Sequence, residues 1–288
     1  MSRTIDIAFE RELEDMFYTL TQQKVSKFES KVSMVPNVKG KSHDVNRLGN
    51  QEAYDVNSAN ADTVILDLPH SRRRMNMQPK AWAAMIDTFD EVMLLTTPTS
   101  EYTQQCVAAI NRAVDRHIIT QMLGNAISVS AADAESNVAL TLTIANGGTS
   151  MTLDKIRTAM YNFDVNEVDE ADRYLAISPY AKLSLLKFAE IGSRDYNPSV
   201  GAFITGQVPT LFGFQTFVST LLPVASSIRD CIAFARQGTK VGKGSIQEIS
   251  IDKIPTKNNN WQVLGKVVIG TVRIDENLVQ KIGVDETA

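Results

Sequence analysis

The side chains of this chain that are most able to bind a metal or act as a nucleophile are three histidines and two cysteines. They are scattered along the chain as His43, His70, His117, Cys106 and Cys231. No histidine has a second ligand at the spacing typical of zinc sites, and neither cysteine has a CxxC partner. The sequence therefore predicts no catalytic residue, no metal site and no cofactor site.

A glycine-rich stretch at residues 238–245 could bind phosphate, as such loops do in nucleotide-binding proteins. A phosphate loop needs the order Gly-Lys-Ser/Thr and opens a helix. Here Lys243 is followed by Gly244, and residues 246–251 alternate like a strand. The stretch is therefore predicted to be a flexible basic turn.

Composition is typical of a globular protein and argues against two other classes. The chain has 288 residues, of which 43% are hydrophobic and 22% charged, enough for two small domains or one large one. A net charge of −4 argues against a dedicated nucleic-acid binder, although not against a protein that encloses nucleic acid. No apolar run approaches about 18 residues, so no membrane span is predicted.

Cysteine usage and the N-terminus predict a cytoplasmic protein. Cys106 and Cys231 lie in apolar contexts, which favours two reduced, buried thiols, with a single disulfide as the alternative. Residues 1–14 carry acidic side chains where a signal peptide would need an apolar core.

One long helix is predicted at residues 97–123, and the rest of the chain is organised around it. Thr97 and Pro98 are typical of an N-cap and a first helical position, and Gly124 is typical of a helix end. Apolar residues recur every three or four positions, so one stripe can pack on a sheet. At about 1.5 Å per residue the helix is about 40 Å long.

Residues 4–32 also have a helical pattern, with an apolar stripe that includes Phe9, Leu13 and Phe17. A polar stretch follows, so little of the chain nearby is available to cover this stripe. The segment is predicted either to fold back as a helical hairpin or to lie across a neighbouring subunit. In the second case Phe9, Leu13 and Phe17 are subunit contacts.

Residues 36–60 are polar and lack periodicity, and they are unusually long for a loop inside a compact domain. Strand-like pieces at residues 53–56 and 63–68 predict a two-stranded excursion out of the body and back. A two-stranded ribbon is marginally stable alone in water, so another chain is expected to supply contacts.

Three consecutive arginines, Arg72, Arg73 and Arg74, follow this excursion. Runs of charge of this kind often form a solvated edge that discourages strand addition. The alternative is that they pair with carboxylates of an adjacent subunit, and on that reading all three are subunit contacts.

The second half of the chain is predicted to combine strands with two short helices. Thr152 and Ser178 have the residue types of N-caps, and Pro179 suits a first helical position. Residues 173–177 are predicted to form a strand. Residues 261–274 are apolar on both faces, which is typical of a central strand that is covered on both sides.

The order of these parts resembles that of the major capsid proteins of tailed double-stranded-DNA bacteriophages. Residues 172–179 look like the family's strand that leads into a proline-started helix, and residues 211–223 are similar to its glycine-led strand that ends in a proline. Residues 231–235 look like the strand that follows, and residues 268–282 resemble the closing strand pair with its Arg-x-Asp/Glu.

The resemblance implies an α+β fold of the tailed-phage capsid type. The expected parts are an N-terminal arm (1–38), an extended β-ribbon loop (39–80), a peripheral domain with the spine helix 97–123 (81–151), an axial domain (152–242) and strands that return to the peripheral domain (243–288). The implied function is structural: many copies self-assemble as hexamers and pentamers into an icosahedral shell around double-stranded DNA.

The same resemblance implies partners and a location. The partners are other copies of the chain, a portal, and packaged double-stranded DNA bound without sequence specificity, with no membrane contact. The arm begins almost at Met1, which implies a separate scaffolding protein or none. The protein is expected in the virion capsid, after assembly in the cytoplasm of the host bacterium.

Three other functions fit parts of the sequence. Encapsulin-like shell proteins share the fold and enclose enzymes, and neither composition nor charge separates them from phage capsids. An enzyme with a dispersed site would be a monomer or small oligomer with a defined pocket. A nucleic-acid-binding module is disfavoured by the pI of about 5.5 and by the lack of interleaved aromatic and basic residues.

Overall fold

The computed structural model describes residues 21–59, 62–86, 99–130, 133–188 and 210–287. These residues form the predicted α+β fold, with three helices and fifteen strands in three sheets. The predicted contacts Phe9, Leu13 and Phe17, and the predicted cap at Thr97 and Pro98, lie outside the described residues. In the part of the chain that is described, no helix combines the length and the apolar character needed to cross a membrane.

The helices are α1 (Thr99–Leu123), α2 (Leu153–Val165) and α3 (Pro179–Leu186). The strands, in chain order, are β1 (Ser33–Val38), β2 (Ser42–Leu48), β3 (His70–Asn76), β4 (Gln78–Ile86), β5 (Ala126–Val129), β6 (Glu135–Val138), β7 (Thr143–Ile144), β8 (Arg173–Ile177), β9 (Thr210–Leu211), β10 (Phe214–Val218), β11 (Val224–Ala225), β12 (Ile228–Ala235), β13 (Thr239–Ile254), β14 (Asn260–Arg273) and β15 (Val279–Asp285).

The central sheet joins strands from both ends of the chain in the order β1-β13-β14-β4. β14 pairs antiparallel with β13 on one side and β4 on the other, so it is the central strand that its two apolar faces predict. α1 packs on one face of this sheet. Gly265 of β14 permits the close approach, because a Cβ there would lie 2.3 Å from the sulfur of Cys106 and 2.5 Å from Cδ1 of Ile110.

Two further sheets adjoin the central one. The second sheet has the order β2-β3-β5-β6 and connects the N-terminal hairpin to the strands that follow α1. The third sheet has the order β7-β15-β12-β8-β10-β9, with β11 paired to β12 outside this order. Its core includes the rings of Phe28, Phe217 and Phe234, whose centroids lie 5.0, 6.1 and 6.3 Å apart.

Both N-caps predicted for the second half are confirmed. The hydroxyl of Thr152 accepts a hydrogen bond from the backbone N–H of Lys155 at 3.3 Å. The hydroxyl of Ser178 accepts one from Ala181 at 3.0 Å, and Pro179 occupies the first turn of α3. These short-range interactions fix where α2 and α3 begin.

Lys155 is a buried lysine whose ammonium group is surrounded by backbone oxygens. The carbonyls of Asn146, Thr149, Ser150 and Gly283 lie 2.8, 2.9, 2.9 and 3.0 Å from Nζ. Burial lowers the pKa of this ammonium, and the carbonyl oxygens replace the water that the charge has lost. The contacts attach the start of α2 and the turn before it to β15.

The N-terminal segment differs from the predicted helix, because residues 21–32 form irregular backbone with one 3-10 turn at Glu29–Lys31. Asp115 of α1 provides the reason. Its carboxylate accepts hydrogen bonds from the backbone N–H groups of Lys27 at 3.0 Å and Phe28 at 3.3 Å. A side chain of another element thus satisfies backbone donors that a helix would otherwise use.

This segment belongs to the body of the subunit. Phe28 and Val32 are fully buried in the main hydrophobic core, and β1 pairs in parallel with β13. Gln23 and Ser26 also donate side-chain hydrogen bonds to the carboxylate of Asp115, each at 2.5 Å. The described part of the predicted arm, residues 21–38, is therefore packed within its own chain.

The C-terminal part corrects two predictions. Residues 239–245, predicted to form a flexible turn, begin β13, which pairs with β14 from Thr239 opposite Arg273. The expectation that residues 243–288 return as a whole to the sheet of the long helix is wrong for the last strand, because β15 pairs with β12 in the third sheet. Strand character is visible in the sequence, whereas the distant partner of a strand is not.

Replacement of Asp115 with alanine is expected to release the N-terminal segment from α1. Hydrogen bonds to a charged acceptor each contribute about 1.5–3 kcal/mol. Because several are lost, the free energy of unfolding in urea should fall by about 3 kcal/mol, and trypsin should cleave faster at Lys24 and Lys27. Asp252→Ala, which removes an exposed carboxylate of β13, should change neither. Equal effects of the two variants would contradict this role for Asp115.

His117 of α1 makes stability depend on pH. The side chain is 7% exposed and its Nε2 has no hydrogen-bond partner among the described residues. Burial, and then the positive charge of Lys80, lower the pKa of His117 to about 4. In the unfolded chain the pKa is about 6.5. Between these values the unfolded chain binds the proton and the folded chain does not. The free energy of unfolding therefore has its full value above about pH 6.5 and falls as the pH decreases towards 4.

The His117→Gln variant should therefore lose less stability than the natural chain on acidification. One proton corresponds to about 1.4 kcal/mol per pH unit, so the difference should accumulate at about that rate between pH 6 and pH 5. Urea unfolding at each pH measures it. His70→Gln, a change at an exposed position of β3, is the matched control. Parallel pH profiles for all three proteins would disprove the assignment.

Candidate subunit interface

The β2–β3 hairpin continues as a long ribbon beyond its paired strands. The strands pair from Ser42 opposite Asn76 to Leu48 opposite His70. The same register continues past them, because the N–H of Gly49 donates to the carbonyl of Pro69 at 2.8 Å. Nearer the turn, Gln51 donates to the carbonyl of Asp67 at 2.8 Å, and the N–H of Val64 donates to the hydroxyl of Tyr54 at 3.2 Å.

We call residues 42–76 the ribbon and residues 49–69 its tip. At about 3.3 Å per residue, each leg of the tip has a contour of up to about 35 Å. The strands predicted at residues 53–56 and 63–68 are wrong in detail. These residues form the extended legs of the tip, and the regular pairing lies at the base instead. Within the described residues, β5 pairs with the base of the hairpin and no strand pairs with the tip.

The tip combines exposed apolar side chains with acidic ones. Ile65 is 91% exposed, and five other large apolar side chains of the tip are exposed to between 40% and 67%: Tyr54, Val56, Val64, Leu66 and Leu68. Four acidic residues and no basic one occur between positions 49 and 69: Glu52, Asp55, Asp62 and Asp67. A long apolar surface that its own chain leaves uncovered is typical of a protein–protein interface.

A buried charge cluster holds the base of the ribbon. The guanidinium of Arg273 is fully buried and donates to the carbonyls of Met122 at 2.9 Å, Gly124 at 2.7 Å and Val138 at 2.9 Å. Its Nε lies 3.6 Å from the carboxylate of Glu276. Arg273 therefore joins the end of α1 to β6 and to the segment before β15.

Glu276 extends this cluster to the ribbon. Arg73 of β3 donates to both carboxylate oxygens of Glu276, at 2.9 and 2.8 Å, and Arg47 of β2 lies 3.8 Å away. Burial lowers the pKa of both Arg73 and Arg273, and the charge of Glu276 opposes that change. We call Arg47, Arg73, Arg273 and Glu276 the charge cluster.

Arg74 points to the other face of β3 and binds three carboxylates. Its distances are 2.8 Å to Asp44, 2.7 Å to Asp133 and 2.8 Å to Glu135. The hydrogen bond from Arg74 lowers the pKa of Asp44, and the three carboxylates raise that of Arg74. The second sheet thus has an ion-pair network on each side of the ribbon base.

A sulfur atom fixes the ribbon base on the central sheet. Met75 is fully buried beside Gly242 and Gly270, which are cross-strand partners in β13 and β14. A Cβ at Gly242 would lie 2.9 Å from the sulfur of Met75, and a Cβ at Gly270 would lie 2.6 Å from its Cγ. The two glycines therefore leave the space that the side chain of Met75 occupies, which accounts for the glycine at position 242.

The three arginines predicted as subunit contacts, Arg72, Arg73 and Arg74, differ in their surroundings. Arg73 and Arg74 bind carboxylates of their own chain, whereas Arg72 is exposed. The sequence does not reveal these pairs, because Glu276 and Arg73 are 203 positions apart and only the fold brings them together.

Among the described residues no group of three or more metal-ligating side chains is found.

Comparison with known proteins identifies one family. Residues 5–286 match the family model described as phage capsid protein. The capsid of the cyanophage P-SCSP1u is similar at 17% identity, with a TM-score of 0.76 over 98% of this chain and 94% of that chain. The head structure of Helicobacter pylori bacteriophage KHP40 is similar at 10% identity, with a TM-score of 0.77 over 99% and 98%.

A structure from Mycobacterium phage Che8 is also similar, at 14% identity and a TM-score of 0.73, over 97% of this chain and 98% of that chain. At these identities the structural matches show a shared fold. No curated protein matches the chain.

Replacement of Glu276 with alanine is expected to cost about 3–5 kcal/mol of unfolding free energy, because two buried arginines lose their counter-charge. Urea unfolding measures the loss. Asp154→Ala is the matched control, since it breaks an exposed pair with Arg157 that contributes at most about 1 kcal/mol. A Glu276 variant as stable as the control would show that the charge cluster does not hold the ribbon.

Proposed function

The chain belongs to the phage capsid protein family, and from this membership we propose that its copies close as hexamers and pentamers into an icosahedral shell around double-stranded DNA. The family and the fold predicted from the sequence are confirmed. The protein is a structural component of the phage capsid. The match over residues 5–286 is the observation that carries this conclusion.

The tip of the ribbon is the proposed contact with a neighbouring copy. Its exposed apolar side chains leave water only if another chain covers them, and about 25 cal/mol is gained for each Å² of apolar surface so covered. A shell subunit has several neighbours, and an extended ribbon reaches them without enlarging the core. Arg72, which stays exposed at the ribbon base, is proposed to contribute to the same contact.

The remaining assignments rest on the resemblance. We propose Phe9, Leu13 and Phe17 as further subunit contacts, and residues 39–80, 81–151 and 152–242 as the extended loop, the peripheral domain and the axial domain. A separate scaffolding protein and a portal are the proposed partners in assembly, which takes place in the cytoplasm of the host bacterium. Nothing in the comparisons favours an encapsulin or an enzyme.

Negative-stain electron microscopy of the protein, expressed alone and with its genomic neighbours, tests the proposal. Closed particles some tens of nanometres across are the expected result. A stable monomer or dimer under every condition would overturn the shell function.

Ile65→Asp tests the ribbon contact in the same assay. The side chain is almost fully exposed, so the subunit should fold with unchanged stability, whereas every copy in a shell would bury a carboxylate in an apolar contact. The variant should therefore stay unassembled. Val165→Asp, at an exposed apolar position at the end of α2, should still form particles. Normal closure of the Ile65 variant would rule out this contact.

A further inference from the structure

A concave, positively charged groove lies between α1 and β4. It has a volume of about 320 Å³, and its apolar lining includes Trp82 and Ile110. Three cationic side chains also line it: Lys80 of β4, and Arg112 and Arg116 of α1. Because β4 is an edge strand of the central sheet, the groove is open along one side.

The charge of these three side chains is not neutralised by carboxylates of the described chain. Lys80 and Arg116 form no ion pair there, and Arg112 donates only to the side-chain oxygen of Gln22 and the carbonyl of Gln23. Asp115, the nearest carboxylate in the sequence of α1, is fully buried and bonded to the N-terminal segment. The lining that the structure describes therefore has a net positive charge.

The central sheet separates this groove from the ribbon. A Cβ at Gly265 would meet Cys106 of α1, whereas a Cβ at Gly270 would meet Met75 of the ribbon. Side chains alternate between the two faces of a strand, and positions 265 and 270 differ by an odd number in the regular strand β14. α1 thus covers one face of the sheet, and the ribbon base lies on the other.

This arrangement determines what can meet the groove in a shell. In a closed shell every copy has the same face outward, so one face of the central sheet lies towards the enclosed DNA. The tip of the ribbon carries four carboxylates and no basic residue, so it repels a polyanion, whereas the groove on the α1 face carries three cations that have no ion pair among the described residues. The groove on the α1 face, rather than the tip of the ribbon, is therefore the surface that attracts a polyanion.

We propose that the groove formed by Lys80, Arg112 and Arg116 binds the phosphate backbone of the enclosed double-stranded DNA, so that α1 lines the inside of the shell. This assignment rests on the proposed function. Three cations give a small number of phosphate contacts, so binding is weak, independent of sequence and sensitive to salt. Weak binding would allow the DNA to be released from the capsid.

Fluorescence anisotropy on full-length, unassembled subunits tests the proposal, with a labelled duplex of random sequence at low salt as the probe. Lys80→Glu combined with Arg116→Glu should weaken binding at least about tenfold and reduce the slope of log affinity against log salt by about 2. Lys257→Glu combined with Lys266→Glu makes the same change in net charge at exposed positions outside the groove, and it should weaken binding by less than about threefold. Equal losses in the two double variants would overturn the proposal.

The two tryptophans of the chain, Trp82 and Trp261, give an independent readout. Trp82 lines the groove, whereas Trp261 lies near the β13–β14 turn against Lys253. In the Trp261→Phe variant, the duplex should change the fluorescence of Trp82 with the same midpoint as the anisotropy. The opposite result would refute the assignment: a fluorescence change on adding duplex in Trp82→Phe, which keeps Trp261, and none in Trp261→Phe, which keeps Trp82. The DNA would then bind away from the groove.

Electron microscopy separates this proposal from the shell function. The Lys80/Arg116 double variant should close into particles like those of the natural chain. If it fails to close while the Lys257/Lys266 control does, the groove is a subunit contact, and the DNA assignment fails while the shell function stands. If the natural chain itself never forms particles, the shell function fails, whatever its affinity for the duplex.

Discussion

The buried guanidinium of Arg273 is the interaction on which the arrangement of the subunit depends. A charge removed from water is tolerated only when its partners are held in place, because desolvation of an unpaired charge costs several kcal/mol. Here the partners are carbonyls at the end of α1, a carbonyl of β6, and Glu276, which in turn binds Arg73 of the ribbon. Arg273 and Glu276 together therefore connect the helix, the ribbon and the C-terminal segment.

Three glycines determine how closely α1 and the ribbon base approach the central sheet. Gly265 brings α1 onto one face of the central sheet, and the pair Gly242 and Gly270 receives Met75 on the other. The result is a central sheet with α1 on one face and the ribbon base on the other. The ribbon proposed as a subunit contact is therefore attached to the face of the central sheet that α1 does not cover.

Much of the fold follows from local sequence signals. The N-caps at Thr152 and Ser178 act within three residues, and the two apolar faces of β14 identify it as central without reference to its partners. The long helix was likewise predicted from its periodicity. Interactions between residues far apart in the chain were not predictable. Residues 21–32 form irregular backbone bonded to Asp115 instead of the expected helix. Arg73 binds Glu276, which lies 203 positions away in the sequence. The candidate interface was predicted as an excursion, while its register depended on pairing that only the structure shows.

Lys155 gives the subunit a property that a dissolved ion could not. Rings of carbonyl oxygens elsewhere in proteins replace the hydration shell of potassium, and such an ion dissociates when its concentration falls. Here the cation is covalently part of α2, so it is never diluted. The start of α2 is thus joined to the C-terminal strand β15 by a cation that the chain itself carries, and this link does not depend on the concentration of any ion.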